Sequence, residues 1–357
     1  REEAAMANDT FNPDDVGLRN GRFGGLPLSP DEAKVVVLPV PWDVTVSSGE
    51  GTAEGPMAIL AASPQLDFYD ERIAEAWKLA PAYGQFPGTF LMTNPDLRES
   101  ARAYIAWLEK GKPETERAAM LETLETINDC CEEMNALVER EATAWLEKGK
   151  IVGVVGGDHS TPLGLIRALA KKHASFGILH IDAHLDLRQA YEGFTYSHAS
   201  IMYNALQEAA VTRLVQVGPR DFGEAEVALG RASHGRIKIF TGRKLQRHRA
   251  MGLSWSTQTE RILESLPGDV YVSFDIDGLE PWLCPNTGTP VPGGLDFEQV
   301  FYILEALVER GHRIIGFDLT EVAPGGNSWD AAVGARALYR LSTLAATSWG
   351  HARMREL

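Results

Sequence analysis

The sequence predicts an α/β fold, a doubly wound and mostly parallel sheet flanked by helices, and three observations lead there. Short apolar runs recur at 34–40, 151–155, 176–181, 213–217, 237–240, 269–275 and 313–318. Stretches of helical composition separate them, and strands alternating with helices imply parallel βαβ units. Carboxylates and imidazoles gather where several of the runs stop, and open α/β sheets hold ligands outside the carboxyl ends of their strands.

Residues 1–33, rich in Asn, Asp, Gly and Pro with little periodicity, read as an N-terminal arm lying on the surface or on a neighbouring subunit. Residues 34–357 read as one domain, since no internal repeat or long linker divides them. Lys34 to Val40 carries a buried-strand signal, and a Ser/Gly-rich loop follows from Ser47 to Thr52. Residues 98–148 are helical, with Leu/Ala periodicity broken at Gly111-Lys112-Pro113. From Ile151 onward strand and helix alternate to the last strand.

A net charge of -15 argues against nucleic acid and against an anionic membrane surface, and favours encounter with small cations. No apolar run reaches the length of a membrane span, and Arg1 to Asn20 lacks a signal-peptide core. Cys130 and Cys131 are adjacent and Cys284 lies far off, a reduced pattern without thiolate zinc spacing. A cytoplasmic protein is the expectation.

Three strand ends carry the chemistry. His180-Ile181-Asp182-Ala183-His184-Leu185-Asp186 sets two carboxylates and an imidazole two residues apart. Side chains alternate along an extended strand, so Asp182, His184 and Asp186 are expected to face one way. Val270 to Asp277 repeats the device with Asp275 and Asp277, and Ile151 to Val155 runs into Gly156-Gly157-Asp158-His159-Ser160, which offers His159. Buried strands rarely spend alternate positions on charge without partners. Six ligands (His159, Asp182, His184, Asp186, Asp275 and Asp277) are too many for one ion and suit two. Four carboxylates and two imidazoles without a thiolate favour an octahedral divalent ion such as nickel or manganese over structural zinc. Asp158 either orients its neighbour or caps the turn. Ser160 and Thr161 read as helix N-cap residues, and His180 as a satisfied core histidine on the deeper part of the same face.

In their order along the chain these motifs resemble the ureohydrolase family of arginases, agmatinases and related guanidine-cleaving enzymes. Pro41-Trp42-Asp43, Gly55-Pro56-Met57-Ala58-Ile59 and Glu321-Val322-Ala323-Pro324 extend the resemblance from about Val35 into the C-terminal region. It implies a three-layer α/β/α fold with a central mostly parallel sheet, residues 34–357 forming one catalytic domain. It also implies two divalent metals. One is held by His159, Asp182, Asp186 and Asp275, the other by His184, Asp182, Asp275 and Asp277. His198, twelve residues beyond Asp186, matches the family's proton-shuttling histidine, and Glu321 its carboxylate for the guanidinium N–H groups. Both residues are thus expected to touch substrate.

Departures narrow the substrate. In the loop 187–196, Arg188 stands where arginases carry an Asn and Phe194 lies near their Ser, so amino-acid recognition in the arginase manner is absent. Three aromatics in that loop suggest a small closed pocket in which Phe194 selects the substrate; packing against the body is the equal alternative. Glu280 replaces the usual Asp before the proline. The loops 283–290 and 325–330 resemble the nickel-dependent guanidine hydrolase branch, to which metformin hydrolases are similar. Free guanidine is the leading substrate, with nickel favoured and manganese the alternative. Agmatine, a guanidino acid and an alkylated biguanide stay open. The resemblance further implies a homo-oligomer, trimer or hexamer, with a paralogous subunit and a nickel-loading chaperone as candidate partners. A non-catalytic assembly subunit would have lost ligands, and none of the six is missing. A single-zinc deacetylase-like hydrolase would need fewer carboxylates.

Overall fold

A computed structural model of the chain describes residues 11–85 and 88–356. All seven expected strands form: β1 (Val35–Val40), β3 (Ile151–Gly156), β4 (Phe176–Ile181), β5 (Val211–Val217), β6 (Ile237–Phe240), β7 (Asp269–Asp275) and β8 (Arg313–Thr320). An eighth, β2 (Ala82–Tyr83), spans two residues and is too short to leave a sequence pattern. The spatial order is β2-β1-β3-β8-β7-β4-β5-β6, and every neighbouring pair runs parallel.

Strands buried on both faces read as continuous apolar runs, and alternate residues feed two cores. Val270, Val272 and Phe274 of β7 join the helices Trp255–Leu263, Phe297–Glu309 and Trp329–Ser348 on one side. Tyr271 joins the helices Gly88–Glu109, Arg117–Glu147 and Leu163–Lys172 on the other. The result is the three-layer arrangement. The helical region 98–148 is two helices, parted where Gly111 and Lys112 take φ of 81° and 60°. The first starts earlier than expected, at Gly88, and carries Pro95 inside it. No helix among the described residues is long and apolar enough to cross a membrane.

The expected surface arm behaves differently in its described part. Phe23 and Leu26 are buried in the first core, and the Phe11 ring lies 5.1 Å from that of Trp77. Spaced apolar residues in a Gly/Pro-rich stretch pack without any periodicity to announce them. Residues 1–10 lie outside the described residues.

The order of the sheet fixes where chemistry gathers. β3 and β4 are consecutive in sequence, yet β8 and β7 stand between them. The helices after β3 and β4 (Leu163–Lys172 and Ile201–Ala205) pack in the second core, whereas those after β7 and β8 (Phe297–Glu309 and Trp329–Ser348) pack in the first. Neighbouring strands therefore send their connections to opposite faces, opening a crevice at the carboxyl ends of the four central strands. All six ligand candidates and Glu321 end or follow β3, β4, β7 or β8.

Candidate metal centre

The candidate ligand residues converge, but through turns rather than strand alternation. β4 stops at Ile181, and residues 182–186 form a loop. The Asp182 N–H reaches the Val217 carbonyl at 3.3 Å, and Asp182 Oδ1 accepts the His184 N–H at 2.5 Å. Asp186 sits at φ 52°, held by the Met202 and Tyr203 N–H groups, each 3.1 Å from its carbonyl. Left-handed backbone at a non-glycine residue costs roughly 1–3 kcal/mol and persists only where surroundings impose it. Asp275 closes β7, while Asp277 lies in the single turn Ile276–Gly278, its N–H donated to Asp275 Oδ1 at 2.8 Å.

Two lobes result. His159 Nδ1 lies 3.0 Å from Asp182 Oδ2, 3.1 Å from Asp186 Oδ2 and 3.2 Å from Asp275 Oδ2. His184 Nδ1 lies 3.2 Å from Asp182 Oδ1 and 3.1 Å from Asp277 Oδ2. Asp182 thus turns one oxygen to each lobe, the posture of a bridging carboxylate. Potential ligand atoms of Asp182, His184 and Asp277 all lie within 4.8 Å of one another, as do those of His159, His180, Asp182 and Asp186.

The electrostatics of the cluster ask for positive charge. Burial and then Asp277 hold the Asp275 carboxyl well above the ordinary carboxylate range, and burial and Asp182 raise Asp186 to about 6. Burial opposes a charged His184, yet Asp277 and Asp182 push its imidazole up to about 12. Buried carboxylates in this number need cations beside them, and a hard oxygen-rich donor set with two imidazoles fits divalent ions.

A polar row one step below the ligands went unnoticed in the sequence. Across the sheet Gln216, His180, Ser273 and Asp318 stand in register on β5, β4, β7 and β8. The Gln216 amide donates to His180 Nδ1 at 2.9 Å, and His180 Nε2 donates to Asp182 Oδ2 at 2.8 Å. His180 is therefore buried and satisfied, as expected, and also orients the shared carboxylate. With Nδ1 of His159 facing the carboxylates, its Nε2–H is donated to Ser273 Oγ at 2.8 Å. Asp318 in turn accepts Tyr271 O–H at 2.7 Å and the Phe274 N–H at 3.2 Å. Outer hydrogen bonds of this kind fix tautomer and ring orientation in metal sites. A charge at Asp318 inside the apolar run 314–319 was the available signal.

Glu321 follows β8 at φ 63°; its N–H reaches the Gly157 carbonyl at 2.8 Å and its Oε1 accepts the His159 N–H at 2.9 Å. Gly157 makes this possible, since a Cβ there would fall 1.8 Å from the Trp42 carbonyl oxygen. Burial and Asp158 push the Glu321 carboxyl well above its usual range, which a bound cation would reverse. Two loops meet above it. Thr287 Oγ1 donates to the Glu321 carbonyl at 2.8 Å, and a Cβ on Gly288 would sit 3.3 Å from the Gly49 carbonyl and 3.4 Å from Glu321 Oε2. Arg220 pins the far side of that loop by donating to the carbonyls of Asp277 at 2.7 Å and Val291 at 2.8 Å.

His198 lines the cavity over the ligands with Ser47, His184, Asp186, Arg188, Tyr191 and Thr289. Its Nε2 is 3.4 Å from Ser47 Oγ, and burial with the neighbouring imidazoles lowers it to about 4. Asp158 spends its carboxylate on its own turn, accepting Ser160 N–H at 2.9 Å and Ser160 O–H at 2.5 Å. Thr161 likewise bonds back to the Asp158 carbonyl at 2.8 Å, so neither Ser160 nor Thr161 caps the helix that begins at Leu163. Phe194 is not in the cavity wall. It is wholly buried in the second core, its ring 5.5 Å from Tyr104. The packing alternative holds for it, because the turn 191–194 points Tyr191 outward and Phe194 inward.

The family model of the arginase family matches residues 33–343. The chain belongs to the arginase family. It is a ureohydrolase, 34% identical over 304 residues to an N(1)-aminopropylagmatine ureohydrolase of Thermus thermophilus, covering 85% of this chain and 87% of that protein. An agmatinase of Neisseria meningitidis is 30% identical over 340 residues, 92% of this chain and 94% of that one. Among solved structures, proclavaminate amidino hydrolase from Streptomyces clavuligerus superposes with a TM-score of 0.69 at 23% identity, covering 94% of this chain and all of that one, which speaks to the fold. The two sequence relatives are named for agmatine-type compounds, whereas the sequence pointed to the guanidine hydrolase branch.

Proposed function

We propose that this ureohydrolase acts on a small guanidinium compound, free guanidine foremost, releasing urea and ammonium with two divalent ions as cofactors. The observation that supports the reading is the small cavity, about 150 Å³, that reaches the cluster at His184 and Asp186 beside His198. Ordinary small-molecule sites hold roughly 300–1,000 Å³. His159, Asp182, Asp186 and Asp275 would hold one ion, and His184, Asp182, Asp275 and Asp277 the other. Such ions activate water as a nucleophile near neutral pH. Glu321 accepts N–H groups of the planar cation with Oε2, its Oε1 being engaged by the His159 N–H. His198 enters as a neutral imidazole, takes a proton at Nε2 and returns it to the departing nitrogen. Asp158 shapes the turn that presents His159. Nickel is the ion we favour, from the resemblance of the loops 283–290 and 325–330, with manganese the alternative. A homo-oligomer in the cytoplasm is the expected setting.

A second reading, an agmatine-type substrate, is favoured by the names of the sequence relatives. Urea release from guanidine, agmatine, arginine and metformin, after reconstitution with nickel or manganese, decides between them. Guanidine should give the highest kcat/KM. Turnover of agmatine with none of guanidine would refute the leading substrate and leave the ureohydrolase chemistry intact.

A further inference from the structure

We infer that Arg188 selects substrates by the charge they carry beyond the guanidinium group, disfavouring a second positive charge. The inference rests on the ureohydrolase reading of the site. The cavity has His184 and Asp186 at its ligand end and Arg188 and Tyr191 in its wall. Any tail attached to a guanidinium seated at the ligands therefore shares its space with Arg188.

That side chain is exposed to solvent and has a neighbour on each of two sides. Its guanidinium carbon lies 4.4 Å from the centre of the Tyr191 ring, a cation–π distance. Its Nε lies 3.8 Å from Glu226 Oε2. Both neighbours are fixed. Tyr191 and Phe194 exchange N–H to carbonyl bonds of 3.2 and 2.8 Å, and Phe194 is anchored in the core. Glu226 accepts the Leu187 N–H at 3.0 Å and the Gly223 N–H at 2.7 Å, which fixes it beside Arg188 in the same cavity wall. Arg stays protonated at every working pH. Asp221, which is exposed, and Glu226 line the same cavity; they are the carboxylates that attract a cationic tail and that the Arg188 charge opposes.

A charge of one unit near the tail, at an effective dielectric between protein and water, should change discrimination by about tenfold, or about 1.4 kcal/mol. The test compares kcat/KM for agmatine, whose tail is cationic, with that for 4-guanidinobutanoate, whose tail is anionic and of similar length. Arg188→Gln should raise the agmatine to guanidinobutanoate ratio about tenfold or more. Arg188→Lys, which keeps the charge, should stay near the wild-type ratio, and the difference between Gln and wild type should shrink at high salt. Asp221→Asn should shift the ratio the opposite way and by less. An unchanged ratio in Arg188→Gln, or a larger response to Asp221→Asn, overturns the assignment. Parallel loss on both substrates would mark Arg188 as structural and overturn it equally. Where the small cavity leaves both tailed compounds unhydrolysed, the same ratio is read from their competitive inhibition constants against guanidine hydrolysis; where guanidine itself is no substrate, it is read from kcat/KM, so the two readings fail separately.

Discussion

Replacing Gly49 by alanine should open the roof over Glu321. Gly49 and Gly288 approach each other backbone to backbone, and a Cβ on Gly49 would stand 2.7 Å from the Gly288 carbonyl oxygen and 2.8 Å from its Cα. Ordinary contact begins at 3.4 Å, so the loops must part by about 0.7 Å, and no flexible side chain is there to yield. Both loops carry working parts. Ser47 lies 3.4 Å from His198 Nε2, and Thr287 holds the Glu321 carbonyl at 2.8 Å. A misplacement near 1 Å in a catalytic constellation can cost about 10²-fold, whereas overpacking costs about 1–3 kcal/mol of stability. Gly49→Ala should therefore lower kcat/KM for urea release some 30- to 100-fold, roughly in proportion to the displacement, with a modest fall in Tm and unchanged metal content. Gly288→Ala, whose Cβ would meet the Gly49 carbonyl at 3.3 Å, should be milder. Gly326→Ala, with nothing within 4 Å and no left-handed φ, should behave as wild type. A Gly49→Ala enzyme within threefold of wild type would refute the roof.

Three further outcomes are expected. His198→Ala should slow turnover about 10²-fold or more while metal content by mass spectrometry stays intact, as for a general acid–base group that is no ligand; equal loss of both would make it a ligand. Asp318→Asn should weaken metal affinity about 10- to 100-fold, measured by calorimetry, because the support beneath Ser273 and His159 is altered; unchanged affinity would show the polar row to be inert. Stripping the metals with a chelator should lower Tm, and readdition at about 1,000 times Kd should restore about 4 kcal/mol; a Tm indifferent to metal would contradict buried carboxylates short of positive charge.

The sheet was legible because strands buried on both faces leave runs such as Ile151–Val155 that no other element explains. The clustering of the candidate ligands was legible for a related reason, since buried Asp and His at strand ends are costly unless employed. What composition hid was geometry. Asp186 reaches the cluster through a left-handed turn, and Asp277 through a single helical turn, neither of which follows from two-residue spacing. Phe194 shows the limit most clearly. An aromatic near the ligands in sequence can face either way, and the 191–194 turn sends it into the core. The Gln216-His180-Ser273-Asp318 row was invisible because it runs across strands, and register between distant strands is not written in any one of them.

The insertion of β8 and β7 between β3 and β4 bears on how the chain reaches its native state. A ribosome emitting residues in order delivers β3 and β4 long before the strands that must lie between them. Until then each exposes an unsatisfied apolar edge, the sort of surface that recruits other chains. Non-local pairing of this kind slows folding because loop closure precedes its reward. The last strand to emerge fills the middle of the sheet and carries Glu321 at its end. Nascent chains stalled before Arg313 should accordingly be holdase clients, and the final docking event should coincide with the birth of a competent site.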